Sequence, residues 1–192
     1  KSLLFRQASA EADPRRLAEL ARALASRLAR SHFRPYVSDD VIGAEIGGAV
    51  KNVLAIACGV VEGRGLGQNA RAALIARGFA EMTRFGLAKG ARPETLAGLS
   101  GLGDLVLTCS SMASRNFTLG KGLGEGRSAG DLLASSHTVA EGAFTAPVLQ
   151  QAARALDVDM PVVDAVCTLL EGSAPVDRVV GSLLARPLRS EA

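Results

Sequence analysis

Ile46 to Val61 reads IGGAVKNVLAIACGVV, sixteen residues whose single charge is Lys51. Interrupted by that lysine, the run falls short of the roughly 20 apolar residues needed to cross a bilayer, which leaves burial inside a globular fold. A lysine among glycines, alanines and branched aliphatics gives up hydration that it would keep on an open face, so it is either snorkelling or in use. If the run is helical, Gly47 and Gly48 lie four and three residues before Lys51, on its own side, and Gly43 lies a further turn back. Each glycine costs a helix about 1 kcal/mol relative to alanine. Three within two turns point either to close approach by a ligand or to tightly packed backbone, and periodicity alone leaves both open.

The chain has 192 residues, of which 48% are hydrophobic and 21% charged, an ordinary balance for a folded domain. Its net charge of +3 owes much to arginines in the first 34 residues. With only 4% aromatic residues and no basic stripe interleaved with them, nucleic acid is not an expected partner. Cys58, Cys109 and Cys167 are odd in number, widely spaced and set in apolar surroundings, which predicts buried free thiols in a reducing compartment. His32 and His137 lack neighbours at ligand spacing, so no metal site is expected. No charged and hydrophobic leader pattern precedes the apolar run, and the expected location is the cytoplasm.

Asp13 caps a predicted helix opening on Pro14, with Leu17, Leu20, Ala21, Leu24 and Leu28 as its apolar stripe. Phe33 to Val37 reads as a short strand, with Ser38 or Asp39 starting the next helix. A lone helix and strand resemble the last piece of an α/β domain. Beyond Asp40 the chain reads as helices: 42–62, 70–89 capped by Asn69, a short piece after Pro93, 104–109, a glycine-rich helix or turn over 120–126, then 146–156, 161–171 and 175–185.

A second cluster is GLSGLGDLVLTCSSMASRN, residues 98–116. Asp104 heads an apolar helix with Thr108 one turn on; an N-cap is the simplest role for that carboxylate. Ser114, Arg115 and Asn116 present a hydroxyl, a forked guanidinium and an amide ahead of a helix start, which suits a phosphate ester as well as a solvated loop. Neither Gly63, Gly65, Gly67 nor GKGLGEG at 120–126 forms a nucleotide-phosphate motif.

The words IGAEIGGAVKNVLAIACGVVEGRGLGQNARAALIARGFAEMTRFG, GLSGLGDLVLTC, SRN and VAEG occur in this order. Together they closely resemble the C-terminal part of bacterial NAD(P)-dependent glycerol-3-phosphate dehydrogenases. The resemblance implies an all-α, multi-helix domain of the 6-phosphogluconate dehydrogenase C-terminal-like type over residues 39–192. Residues 1–38 would be the residual helix and strand of a truncated Rossmann domain that binds NAD or NADP. The implied reaction interconverts dihydroxyacetone phosphate and sn-glycerol 3-phosphate for glycerophospholipid synthesis, and the fragment alone is expected to be inactive.

Carried over by position, Lys51 is the catalytic residue that exchanges a proton with the substrate C2 oxygen. Asp104, Ser114, Arg115 and Asn116 match substrate-binding positions, with Asp104 implied as the carboxylate partner that orients Lys51 and Arg115 as the clamp on the phosphate, and Thr108 matches a threonine near the substrate. Arg115, Val139 and Glu141 match cofactor contacts. Where the family usually has basic residues after SRN, this chain has Phe117 and Thr118. The implied partners are the small-molecule substrates, with no membrane insertion, and a homodimer is compatible. A β-hydroxyacid dehydrogenase is the nearest rival, but it typically spaces lysine and asparagine four apart, whereas Asn52 here adjoins Lys51. A non-catalytic helical assembly module, with the glycines serving helix packing, is the rival from another class.

Overall fold

The computed structural model describes residues 13–135 and 139–186, which fall into two compact units divided between Val41 and Ile42. In the first unit Asp13 accepts a hydrogen bond from the Arg15 amide at 3.0 Å and caps helix α1, Pro14–Leu28, as expected. Its stripe is not covered by the described residues: Leu20, Leu24 and Leu28 are all about half exposed or more. The expected strand at Phe33–Val37 is absent. Phe33 exchanges backbone bonds only with Arg30, as an isolated bridge. An extended segment becomes a strand only when another strand pairs with it, and none of the described residues supplies one. His137 lies outside the described residues.

The second unit is built around α2, Val41–Gly63. The helix is longer than the apolar run suggests, and its 23 residues satisfy the length and hydropathy of a membrane span. Sequence length alone was therefore not what argues against a span; burial is the pertinent fact, since Val50, Val53, Leu54, Ile56 and Val60 form the middle of the hydrophobic core. Around it lie α3 (Gln68–Ala88), α4 (Pro93–Leu96), a π-turn (Leu99–Gly103), α5 (Asp104–Cys109) and α6 (Arg115–Gly124). The chain continues through α7 (Ala129–Ser135), α8 (Glu141–Arg154), α9 (Pro161–Glu171) and α10 (Val176–Leu184). The all-α body is thus as the sequence implies, and Cys58, Cys109 and Cys167 are free and buried within it.

Several boundaries move for identifiable reasons. Helix α3 starts at Gln68 rather than after an Asn69 cap, because Gly67 takes a φ of 88° that a residue with a side chain rarely adopts, and the chain turns there. Helix α8 begins at Glu141, five residues ahead of Ala146, although Pro147 lies inside it. The GKGLGEG segment continues α6 to Gly124 and crosses α2 backbone to backbone. A Cβ on Gly59 would stand 2.1 Å from the Phe117 carbonyl oxygen, and one on Gly120 would stand 1.9 Å from that of Ile56. Glycine on both helices is what allows this close approach.

Candidate active site

Lys51 lies in the middle of α2, and its ammonium donates to the Asp104 carboxylate. Both side chains keep some solvent contact, 20% for Lys51 and 35% for Asp104, so a small molecule can reach the pair. The π-turn makes this meeting possible. A Cβ on Gly47 would lie 2.2 Å from the Ser100 carbonyl oxygen, and one on Gly101 would lie 1.9 Å from that of Leu96. Gly47 therefore lets the turn lie directly on α2 one helical turn before Lys51, and Gly101 lets the turn fold tightly back on the end of α4, which brings the first residue of α5 alongside the lysine. Gly47 serves packed backbone rather than ligand approach, while Gly48 has open space where its side chain would be. The two alternatives left by the glycine pattern are thus divided between neighbouring residues.

Asp104 is not an N-cap. Gly103, in helical conformation, carries the π-turn straight into α5, and the carboxylate is free to turn toward Lys51. Thr108 donates to the Asp104 carbonyl at 2.6 Å, and its hydroxyl lies 3.4 Å from the same residue's carboxylate, one turn along as the spacing predicts.

Ser114 caps α6 by accepting from the Phe117 amide at 3.3 Å, which leaves its hydroxyl proton to a further acceptor. Arg115, the first residue of α6, is exposed and makes no ion pair with any described residue. Asn116 behaves differently. It is only 7% exposed, its side-chain NH2 donates to the Asn52 side-chain oxygen Oδ1 at 3.1 Å, and its own Oδ1 accepts from the Gly142 backbone amide at 2.8 Å. Asn52 in turn donates to the Gly48 carbonyl at 3.2 Å.

This chain of bonds ties α2, α6 and the start of α8 together, and each bonded residue follows a candidate: Lys51 precedes Asn52, Arg115 precedes Asn116, and Glu141 precedes Gly142. Gly142 is obligatory at the joint, because a Cβ there would stand 2.5 Å from the Asn52 carbonyl oxygen and 2.8 Å from the Asn116 side chain. Val139 and Glu141 are exposed at the entry to α8. Sequence reasoning passed over Asn52 and Gly142 as site-building residues. Asn52 did carry a signal: an amide inside an apolar helix needs a partner from elsewhere.

The structure thus brings Lys51 and Asp104 into contact, and leaves Arg115, without an ion-pair partner among the described residues, and the entry to α8 exposed. Such a set can polarise or protonate an oxygen at Lys51 while holding an anion at Arg115. The model of the NAD-dependent glycerol-3-phosphate dehydrogenase C-terminus matches residues 40–181. The chain belongs to that family. A glycerol-3-phosphate dehydrogenase [NAD(P)+] of Novosphingobium aromaticivorans is 72% identical over 168 residues, covering 88% of this chain and 51% of that protein. One from Sphingopyxis alaskensis is 66% identical, covering 95% and 54%. Among solved structures, glycerol-3-phosphate dehydrogenase from Coxiella burnetii superposes with a TM-score of 0.84 at 41% identity, over 88% of this chain and 52% of that one. The yeast enzyme does so at 0.76 and 29%, over 86% and 48%. The chain thus spans about half the length of the relatives that it matches.

Proposed function

We propose that this chain is the substrate-binding half of a cytoplasmic NAD(P)-dependent glycerol-3-phosphate dehydrogenase, taking dihydroxyacetone phosphate and sn-glycerol 3-phosphate. The observation that carries the reading is the Lys51–Asp104 pair; the Asn52–Asn116–Gly142 bonds, made by the residues that follow Lys51, Arg115 and Glu141 in the chain, support it. In the direction of reduction Lys51 donates a proton to the C2 oxygen as charge develops there, and its ammonium stabilises that charge. Asp104 orients the ammonium, and Thr108 steadies Asp104. Arg115 and Ser114 bind the phosphate, so binding energy remote from C2 positions the ketone. In the opposite direction Lys51 receives the proton from the C2 hydroxyl.

The nicotinamide cofactor, when bound, supplies or accepts the hydride at C2. Arg115, Val139 and Glu141 would touch it from this chain, and their exposure suits a group held mainly by another domain. Residues 1–38 fit the end of that domain, given the uncovered leucine stripe of α1 and a length about half that of the relatives. Three free cysteines suit a reducing compartment. The test joins this chain to the amino-terminal half of such a relative and follows NAD(P)H oxidation with dihydroxyacetone phosphate. Turnover is expected, and Lys51→Ala should reduce kcat by about 10³-fold. Near-normal turnover in that variant would remove Lys51 from the chemistry.

A further inference from the structure

A cleft of about 250 Å³ opens beside Arg115, lined by α6, α7 and the segment entering α8. Among the described residues that line it, Arg115 and Arg127 are the charged ones and none is a carboxylate. Met112, Leu119, Leu132 and Leu133 supply apolar wall. We propose that Arg127 is a second phosphoryl-binding cation of this cleft, acting with Arg115 on the phosphate of the substrate or of the dinucleotide. The inference rests on the functional reading above, because it takes Arg115 as the first anion contact.

Arg127 is placed there by local construction. Gly126, at a φ of 90°, turns the chain back after α6, and the Arg127 amide then donates to the Gly122 carbonyl at 3.0 Å. A Cβ on Gly122 would lie 2.8 Å from the Arg127 guanidinium and 2.6 Å from Leu132. The missing side chain is the room in which the guanidinium lies. Gly122 is seven residues after Arg115, two turns along the same face of α6, so the two cations stand at opposite ends of one stripe with Thr118 and Leu119 between them. Arg127 does have a partner, Glu125, at 3.1 Å, but that carboxylate also faces Lys121 at 3.6 Å. One negative charge between two cations leaves positive charge over, and Arg127 remains 57% exposed. The neighbouring cleft that Arg127 also borders contains Arg64 with Glu171 and Asp177, so its two cations are matched by two carboxylates. The excess of positive charge is therefore specific to the Arg115 side, where a forked guanidinium suits phosphoryl oxygens.

In the joined enzyme described above, Arg127→Gln should raise KM about tenfold for the ligand whose phosphoryl group it holds, with kcat little changed, and Arg127→Lys should recover part of the loss. A rise for dihydroxyacetone phosphate alone assigns Arg127 to the substrate phosphate; a rise for NAD(P)H alone assigns it to the cofactor. Inorganic phosphate serves as an independent probe. It should raise the melting temperature of the 192-residue chain, and less so in Arg127→Gln. Unchanged KM for both ligands together with an unchanged phosphate effect overturns the inference. So does a variant that only melts earlier, with no rescue by lysine. If the parent enzyme shows no turnover, the functional reading fails by itself, and the phosphate effect still decides whether Arg127 binds anions.

Discussion

At the residue scale, two adjacent glycines in α2 have opposite roles that the sequence could not separate. Gly47 faces the Ser100 carbonyl, whereas Gly48 faces open space on the side of Lys51. Gly47→Ala must push the π-turn away, at a cost of about 1–3 kcal/mol, and should also displace Asp104 from the lysine. Gly48→Ala meets nothing and gains helix propensity, so it should stabilise the fold by up to ~1 kcal/mol. Urea denaturation midpoints of the two variants distinguish them: a harmless Gly47→Ala would show that the turn does not lie on α2. Lys51 itself was legible because a lone charge in an apolar run demands an explanation. Its partner Asp104 was legible through the family resemblance, and the ammonium does donate to that carboxylate; the means were not, since nothing in GLSGLGD marks a π-turn that carries the carboxylate past the usual capping position.

At the scale of elements, helices whose ends are written locally were placed well. Asp13 with Pro14 opens α1, and α9 runs from Pro161 to Glu171, ending at Gly172 with a φ of 66°. Where an end is made by a distant residue, local signals mislead. Helix α8 looks as though it should start near Ala146, yet Asn116 accepts from the Gly142 amide and supports a start at Glu141. Removing that support tests the idea. Asn116→Ala leaves the buried Gly142 amide and the side-chain oxygen of Asn52 without their partners, and should destabilise the fold by about 1–3 kcal/mol. The Gly142 amide should also exchange its hydrogen faster than amides in the middle of α8. Uniform exchange along α8 in the variant would deny that Asn116 holds its entry. On the proposed function, these bonds fix the backbone next to Lys51, Arg115 and Glu141, so the loss should also lower turnover in the joined enzyme. The strand expected at Phe33–Val37 failed for the complementary reason: strands exist only in pairs, and pairing is not a local property.

At the scale of the whole second unit, the buried carboxylate of Glu81 joins the middle of α3 to the beginning of α9. It is 1% exposed and accepts from the Val162 amide at 2.7 Å and from the Val163 amide at 3.3 Å, supplying from another helix the cap that Met160 cannot. Burial nevertheless dominates: desolvation raises its pKa from the ordinary 4.5 to about 7, against the two amides and Arg84, which favour the charged form. Between those two values the folded chain binds more protons than the unfolded one, so Glu81 makes stability fall as pH rises. Its contribution is fully present below pH 4.5 and lost by passage through pH 7, a change of ~3 kcal/mol at most for a shift of this size. Glu81→Gln retains one acceptor for the Val162 amide but cannot titrate. Urea midpoints taken from pH 4.5 to 8 should therefore decline more steeply in the parent chain than in Glu81→Gln. Parallel profiles would mean that Glu81 keeps its charge throughout, so that the amides of α9, and not burial, decide its protonation.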